Sequence, residues 1–155
     1  MKLAILSVGK VRQSFIKDGE REYIKRIKDG LTVEFVELGL EAPESLPATE
    51  IQEREGQELL KRLDRYDRVV VLDERGTTLS SLQLSDFVQK QMVSGVRSVV
   101  FVIGGAFGLS EKVRQEADLV LSLGALTLPH QLVRLVMVEQ LYRVYTMIRG
   151  IAYHK

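Results

Sequence analysis

Short β-branched apolar runs alternate five times along this chain with longer stretches of helical spacing. The runs are Lys2–Val8, Thr32–Leu38, Arg68–Asp73, Ser98–Ile103 and Asp118–Leu123. RVVVLD at 68–73 and SVVFVI at 98–103 lack polar alternation, the mark of strands buried on both faces. TVEFVEL at 32–38 alternates, as a strand with one more polar face does. Between the runs, Phe15, Ile16, Tyr23, Ile24 and Ile27 recur at helical spacing, with Ser14 placed to cap the helix and Gly30 to stop it. Further helices are predicted over Thr49–Arg65, from Ser80 or Ser81 to about Met92, over Ser110–Glu116, and from Pro129 to about Arg149. The segment 39–48, with two prolines, is a loop. Strict alternation of strand and helix predicts a single α/β domain over 1–155. Its sheet is mostly parallel, with helices on both faces.

The last helix lacks a wide solvent face. At 100° per residue, Glu139, Arg143 and Thr146 share one stripe and His130 and Arg134 another, while leucine, valine, methionine and isoleucine fill the rest. A helix apolar on several sides is buried on several sides. One side packs on its own sheet, and a symmetric homodimer built partly on this helix is the expected cover for the other. The Glu139–Arg143 pair at i,i+4 equally suits simple helix support.

Sheets of this kind bind ligands at the carboxyl ends of their strands. Three strand ends stand out: 72–76, 103–108 and 123–128. Gly104, Gly105 and Gly108 do not match the dinucleotide fingerprint, which needs glycine at Ala106 and Leu109, and no Gly-Lys-Ser/Thr follows for a phosphate loop. The turn suits either close backbone approach to a ligand or a tight strand–helix connection. The loop Leu123–Leu128 has little side-chain functionality beyond Thr127. If it binds, it does so with backbone groups and apolar walls, which suit a flat heterocycle such as adenine.

Composition narrows the chemistry. The chain has no cysteine and two histidines, so disulfides, thiolate metal sites and a cysteine nucleophile are excluded and zinc is not expected. The longest mostly apolar run, Val99–Leu109, is too short for a bilayer and carries three glycines. The start resembles a strand rather than a signal peptide, so the expected location is the cytoplasm. The net charge of +1 names no partner. It is uneven, however: residues 1–75 hold 14 basic and 16 acidic side chains, and residues 76–155 hold 8 and 5. A locally basic C-terminal end attracts polyanions, although a mildly basic surface is an ordinary feature. The tail Gly150–Lys155 ends on a phenol, an imidazole and an amine.

The combination of L-D-E-R-G at 72–76, I-G-G-A-F-G-L at 103–109, L-x-L-P-H-Q-L-x-R at 126–134, E-Q-L-Y-R at 139–143 and a terminal Y-H-K strongly resembles one family across the whole chain. This is the small SPOUT-superfamily ribosomal RNA large-subunit methyltransferase H family, the pseudouridine-N3 methyltransferases. One departure is Ala152, where the family often has proline. The resemblance implies a C-terminal trefoil knot formed within about 70–155 and a bound S-adenosylmethionine. Its contacts would be Leu72, Gly104, Leu123, Gly124, Ala125, Leu126, Thr127 and Leu128. It also implies a homodimer acting on a pseudouridine of large-subunit ribosomal RNA in the assembled ribosome, with no metal and no membrane. His154 is the candidate base for the N3 proton, since an unperturbed imidazole titrates near 6.5. Arg143 is the candidate to stabilise charge on the flanking carbonyls, and Tyr153 or Phe107 to stack on the extruded base. His130 reads as structural. The competing readings are a non-catalytic ribosome-binding or assembly factor on the same fold and a nicotinamide-dependent oxidoreductase. The missing fingerprint and the C-terminal site argue against the oxidoreductase.

Overall fold

The computed structural model describes residues 1–40 and 45–153. Strands β1 (Lys2–Val8), β2 (Thr32–Leu38), β3 (Arg68–Thr78), β4 (Ser98–Ile103) and β5 (Leu119–Ser122) alternate with helices α1 (Ser14–Ile24), α2 (Ala48–Leu63), α3 (Ser81–Val93), α4 (Glu111–Gln115) and α5 (His130–Ile148). The five strands form one sheet in the order β2-β1-β4-β3-β5, and every pairing is parallel. All five carboxyl ends therefore lie on one rim.

Successive side chains along a strand point to opposite faces, and the sheet uses both. Leu3, Ile5, Val70, Val99 and Phe101 meet Leu84 and Val88 of α3 and Met137, Val138, Leu141 and Val144 of α5, with Tyr23 and Ile24 of α1 packed against them. The alternate residues Ala4, Leu6, Val69, Val71, Val100 and Val102 meet Leu59 and Leu63 of α2 and Val113 of α4. This explains the unbroken apolar runs of β1, β3 and β4.

The element order follows the sequence pattern, and the departures lie at the ends. Ser14 is the first helical residue of α1 rather than its cap; Gln13 takes the cap position without a side-chain bond. Pro47 precedes α2, which places Thr49 inside the first turn. At α3 the cap is complete: the Gln83 N–H donates to Ser80 Oγ and the Ser80 N–H donates to Gln83 Oε1.

The larger departure is β3. Its sequence suggests a strand ending at Asp73 and a turn at Gly76. Instead the chain leaves the sheet after Leu72 and returns to pair again with β5, so that Leu72 and Thr77 both face Leu121. The expelled residues form a wide bulge beside the rim. Gly76 permits the return, because a Cβ there would lie 2.6 Å from the Val120 carbonyl oxygen.

Helix α5 is covered by its own chain beyond the sheet side, because α1 and α3 flank it on the sheet. Arg134, 2% exposed, is among the largest fully buried side chains. Its guanidinium donates to Glu20 Oε1 at 2.8 Å, Glu37 Oε1 at 2.7 Å and Ser7 Oγ at 3.0 Å, and it lies 4.7 Å from the Phe35 ring. This network ties the start of α5 to α1 and to the ends of β1 and β2. Burial pushes the Glu20 carboxyl up, against the pull of Arg134. Among the described residues no helix is long and apolar enough to cross a membrane.

Candidate functional site

Three connections meet at the carboxyl rim and enclose a cleft of about 710 Å³, within the range of small-molecule sites. They are the bulge after Leu72, the turn after Ile103 and the loop after Ser122, closed on one side by Pro129, His130 and Val133 at the start of α5. Of the expected cofactor contacts, Leu72, Gly104, Leu123, Gly124, Leu126, Thr127 and Leu128 line the cleft. Ala125 does not line it and is exposed. Leu126 is 84% exposed and Phe107 49% exposed, so the mouth is apolar and open.

Backbone groups and apolar side chains make up part of the walls, and Gln52, Asp73, Glu74, Arg75 and His130 add polar and charged groups. Ser122 stiffens the last loop, its hydroxyl accepting from the Gly124 N–H and donating to the Gly124 carbonyl, both at 3.2 Å. In the glycine turn, the Gly108 N–H donates to the Gly105 carbonyl at 3.1 Å. Gln52 of α2 braces it by donating to the Phe107 and Leu109 carbonyls at 3.0 and 3.1 Å.

Several working parts here carry no signal at the level of local sequence. Asp73, ejected from β3 by the bulge, accepts from Arg75 at 2.9 Å and from Arg114 of α4 at 3.2 Å. The Arg75 side chain in particular holds the Asp73 carboxyl below its usual range. Arg114 also donates to the Leu109 carbonyl, so one ion pair links the bulge to the glycine turn. A spacing of 41 residues separates Asp73 from Arg114, and periodicity does not report such pairs.

Glu55 is the second unsignalled part. It is 8% exposed, and its Oε2 has no hydrogen-bond partner among the described residues. It lies directly behind Gly105, where a Cβ would sit 2.6 Å from both carboxylate oxygens. Burial pushes this carboxyl up, and the Gly105 N–H opposes the shift. Gly105→Ala is expected to destabilise the fold by roughly 1–3 kcal/mol, the usual cost of overpacking, read as a drop in melting temperature. Adding Glu55→Ala is expected to recover most of that loss. A single variant that melts with the wild type would show that the turn does not depend on this contact.

A second polar cluster lies at the other end of α5. Arg143 Nη2 donates to Glu139 Oε1 at 2.5 Å, and its guanidinium sits 4.8 Å from the Tyr153 ring centroid. The Tyr153 hydroxyl donates to the same Glu139 oxygen at 3.2 Å, and Tyr142 meets the Tyr153 ring edge-on at 4.8 Å. Gln140 donates to Glu139 Oε2 and accepts from Ser81, which anchors the carboxylate to α3. Glu139 is thus the hub of the cluster. Burial above all, then the Tyr23 hydroxyl and the Glu139 charge, push the Tyr153 phenol up to about 12. It stays protonated at neutral pH, and its hydroxyl donates to Glu139. His154, the expected base, lies outside the described residues.

Arg143 and Tyr153 come together, but not with the expected cofactor contacts. Val133 lines the cleft and Arg143 does not; ten residues of helix between them span about 15 Å at 1.5 Å per residue. His130 lies on the cleft side, half-buried, with its imidazole held below its usual range by burial and by the Arg134 charge. Among the described residues no group of three or more acids and histidines is placed to hold a metal.

Comparison with known proteins places this geometry. The chain is 44% identical over 162 residues to "Ribosomal RNA large subunit methyltransferase H" of Lactococcus lactis subsp. lactis (strain IL1403), and both chains are covered completely. It is 40% identical over 159 residues to the protein of the same name from Streptococcus agalactiae serotype III (strain NEM316), again with both fully covered. Among solved structures, the fold matches a probable methyltransferase from Bordetella pertussis Tohama I. The TM-score is 0.60 at 13% identity, with 92% of this chain and 95% of that one covered. A family model described as "Predicted SPOUT methyltransferase" matches residues 1–154. A parallel sheet with a ligand-sized cleft at its carboxyl rim and full-length relatives of one name lead to one conclusion: the chain belongs to the SPOUT methyltransferase family.

Proposed function

We propose that this chain is an S-adenosylmethionine-dependent methyltransferase of large-subunit ribosomal RNA, acting on N3 of a pseudouridine in the assembled ribosome. The observation that carries the reading is the cleft of about 710 Å³, in which seven of the eight expected contact residues converge. Its residues fit the cofactor: Leu72, Leu123 and Leu128 supply apolar walls, and the backbones of Gly104, Gly124 and Thr127 supply hydrogen-bonding groups at an open rim. When bound, the cofactor supplies an electrophilic methyl group. The family's trefoil knot, within about residues 70–155, belongs to the same proposal.

The chain's own contribution is to prepare the acceptor nitrogen. The N3–H of pseudouridine lies between two carbonyls, so its bonding pair becomes available when a base takes the proton. Charge then builds on the carbonyl oxygens, where Arg143 donates. Tyr153, kept protonated, donates or stacks, and Phe107 at the cleft mouth offers a second ring for the extruded base. His154 takes the proton in this scheme.

Because Arg143 and Tyr153 lie about 15 Å of helix from the cleft, one chain does not assemble the site. A homodimer does. The half-buried Leu132, Leu135 and Val136 of α5, with Gly19 and Tyr23 of α1, line a groove of about 480 Å³. Val136 lies midway between Pro129 and Arg143. Two antiparallel copies of α5 crossing near Val136 would set Arg143 of one chain beside the cleft of the other.

Titration calorimetry with S-adenosylmethionine tests the cofactor reading. One bound molecule per chain is expected. The absence of heat would favour the alternative, a non-catalytic ribosome-binding or assembly factor.

A further inference from the structure

Arg21, Lys25, Arg26, Arg54 and Lys61 all sit in ion pairs with acids a turn away. Lys10, Arg12 and Lys17 do not follow that pattern; Lys28, Arg62, Arg65, Lys90 and Lys112 also lack an ion pair among the described residues, but these three lie together on the segment that follows β1. All three are exposed, and none forms an ion pair among the described residues. Asp18, Glu20 and Glu37 have ion-pair partners elsewhere: Arg21 holds Asp18, and Arg134 holds Glu20 and Glu37, while the Lys17 charge also acts on Glu20.

The segment carrying them is firmly held. The Gly9 N–H donates to the Leu38 carbonyl at 2.8 Å, the Val11 N–H to Glu37 Oε1 at 3.3 Å and the Arg12 N–H to Gln131 Oε1 at 3.1 Å. Val11 and Ile16 are buried between the exposed positions and act as anchors. Phe15 stands in the same stretch, 61% exposed. A firmly held segment that presents three exposed cations and an open aromatic ring suits a polyanion with stackable bases.

Its position joins it to the cleft. Parallel pairing sets Ser7 of β1 beside Ile103 of β4, so the segment from Gly9 leaves the sheet next to the glycine turn. A Cβ on Gly9 would lie 4.0 Å from His130 Nε2, and His130 lines the cleft.

We infer that Lys10, Arg12, Lys17 and Phe15 form the docking surface for the RNA strand that carries the target nucleotide to the cleft. The cations take phosphates, and Phe15 stacks an unpaired base. The inference rests on the rRNA substrate proposed above and names the part of the chain that meets it.

The test uses the full chain and large ribosomal subunits lacking the modification. The triple variant K10A/R12A/K17A is expected to raise KM for subunits about tenfold or more near 0.1 M salt and to flatten the log–log salt dependence by roughly 2–3, one contact per cation. Its kcat at saturation and its affinity for S-adenosylmethionine are expected to match the wild type. Phe15→Ala is expected to raise KM, and Phe15→Tyr to restore it, since stacking needs only the ring. A triple variant with wild-type KM and salt slope overturns the inference. So does a Phe15→Ala chain that changes oligomeric state in ultracentrifugation while the triple variant keeps its KM, because the surface then belongs to a second copy. A wild-type chain that transfers no methyl to the subunits would overturn the substrate reading itself.

Discussion

Arg143→Ala is expected to lower the rate constant for methyl transfer to large ribosomal subunits by about 10²–10³-fold, the usual cost of losing one donor aimed at a developing oxyanion. Affinity for S-adenosylmethionine is expected to change little, because Arg143 lies outside the cleft of its own chain and, in the proposed dimer, meets the acceptor base rather than the cofactor. The guanidinium is fixed by Glu139 at 2.5 Å and by the Tyr153 ring at 4.8 Å. Its orientation is therefore set before any substrate arrives, which is what electrostatic stabilisation requires. Arg143→Lys is expected to recover only part of the rate, since an ammonium lacks the planar fork and stacks less well on an aromatic ring. Steady-state kinetics at saturating cofactor separate the roles. An Arg143→Ala chain with wild-type kcat would reduce the pair with Glu139 to helix support worth a few tenths of a kcal/mol.

Arg134→Ala is expected to cost about 3–5 kcal/mol of stability, because removing one partner of a buried ion pair leaves the other uncompensated. For a domain of this size that corresponds to a fall in melting temperature of roughly 6–20 °C. Glu20, nearly as buried as Arg134, would lose its cation and be forced toward its neutral form. Ser7 and Glu37 would lose a donor each. The loss is not confined to stability, because the network fixes the start of α5 and the cleft lies against that turn. Replacing the pair together, with Arg134→Met and Glu20→Leu, is expected to recover much of the stability, as apolar replacements of buried ion pairs often do. If Arg134→Ala melts within a few degrees of the wild type, the network is not what holds α5.

These two arginines show where sequence reading succeeds and where it stops. The strands were legible because each core run is apolar on both faces and each face has its own helices, α1, α3 and α5 on one and α2 and α4 on the other. The cleft was legible because ligands sit at the carboxyl ends of parallel strands, and the glycine turn and the Leu123–Leu128 loop both follow such ends. The resemblance names Ala125 among the contacts; in the structure it is exposed and does not line the cleft. Arg134 looked like one more polar position on an apolar helix. Its partner Glu20 lies 114 residues away, and no local pattern pairs them. The same holds for Asp73 with Arg114, and for Glu55 behind Gly105. The bulge at 73–76 was hidden because Thr77 and Thr78 resume pairing only after a register shift, which local propensity does not encode. The homodimer was expected from the apolar sides of α5. The fold covers part of that surface with α1 and α3, and in the proposed mechanism the separation of Arg143 from the cleft is the stronger reason for a second chain.

Mass spectrometry of the modified ribosomal RNA tests the central claim most directly. The chain would be incubated with large ribosomal subunits lacking the modification and with methyl-labelled S-adenosylmethionine, and the RNA then digested and mapped. The account predicts one labelled nucleotide, a pseudouridine carrying the methyl group on N3, in a stem-loop of the large-subunit RNA. Label on another atom, on a different class of RNA, or on no nucleotide at all would contradict it.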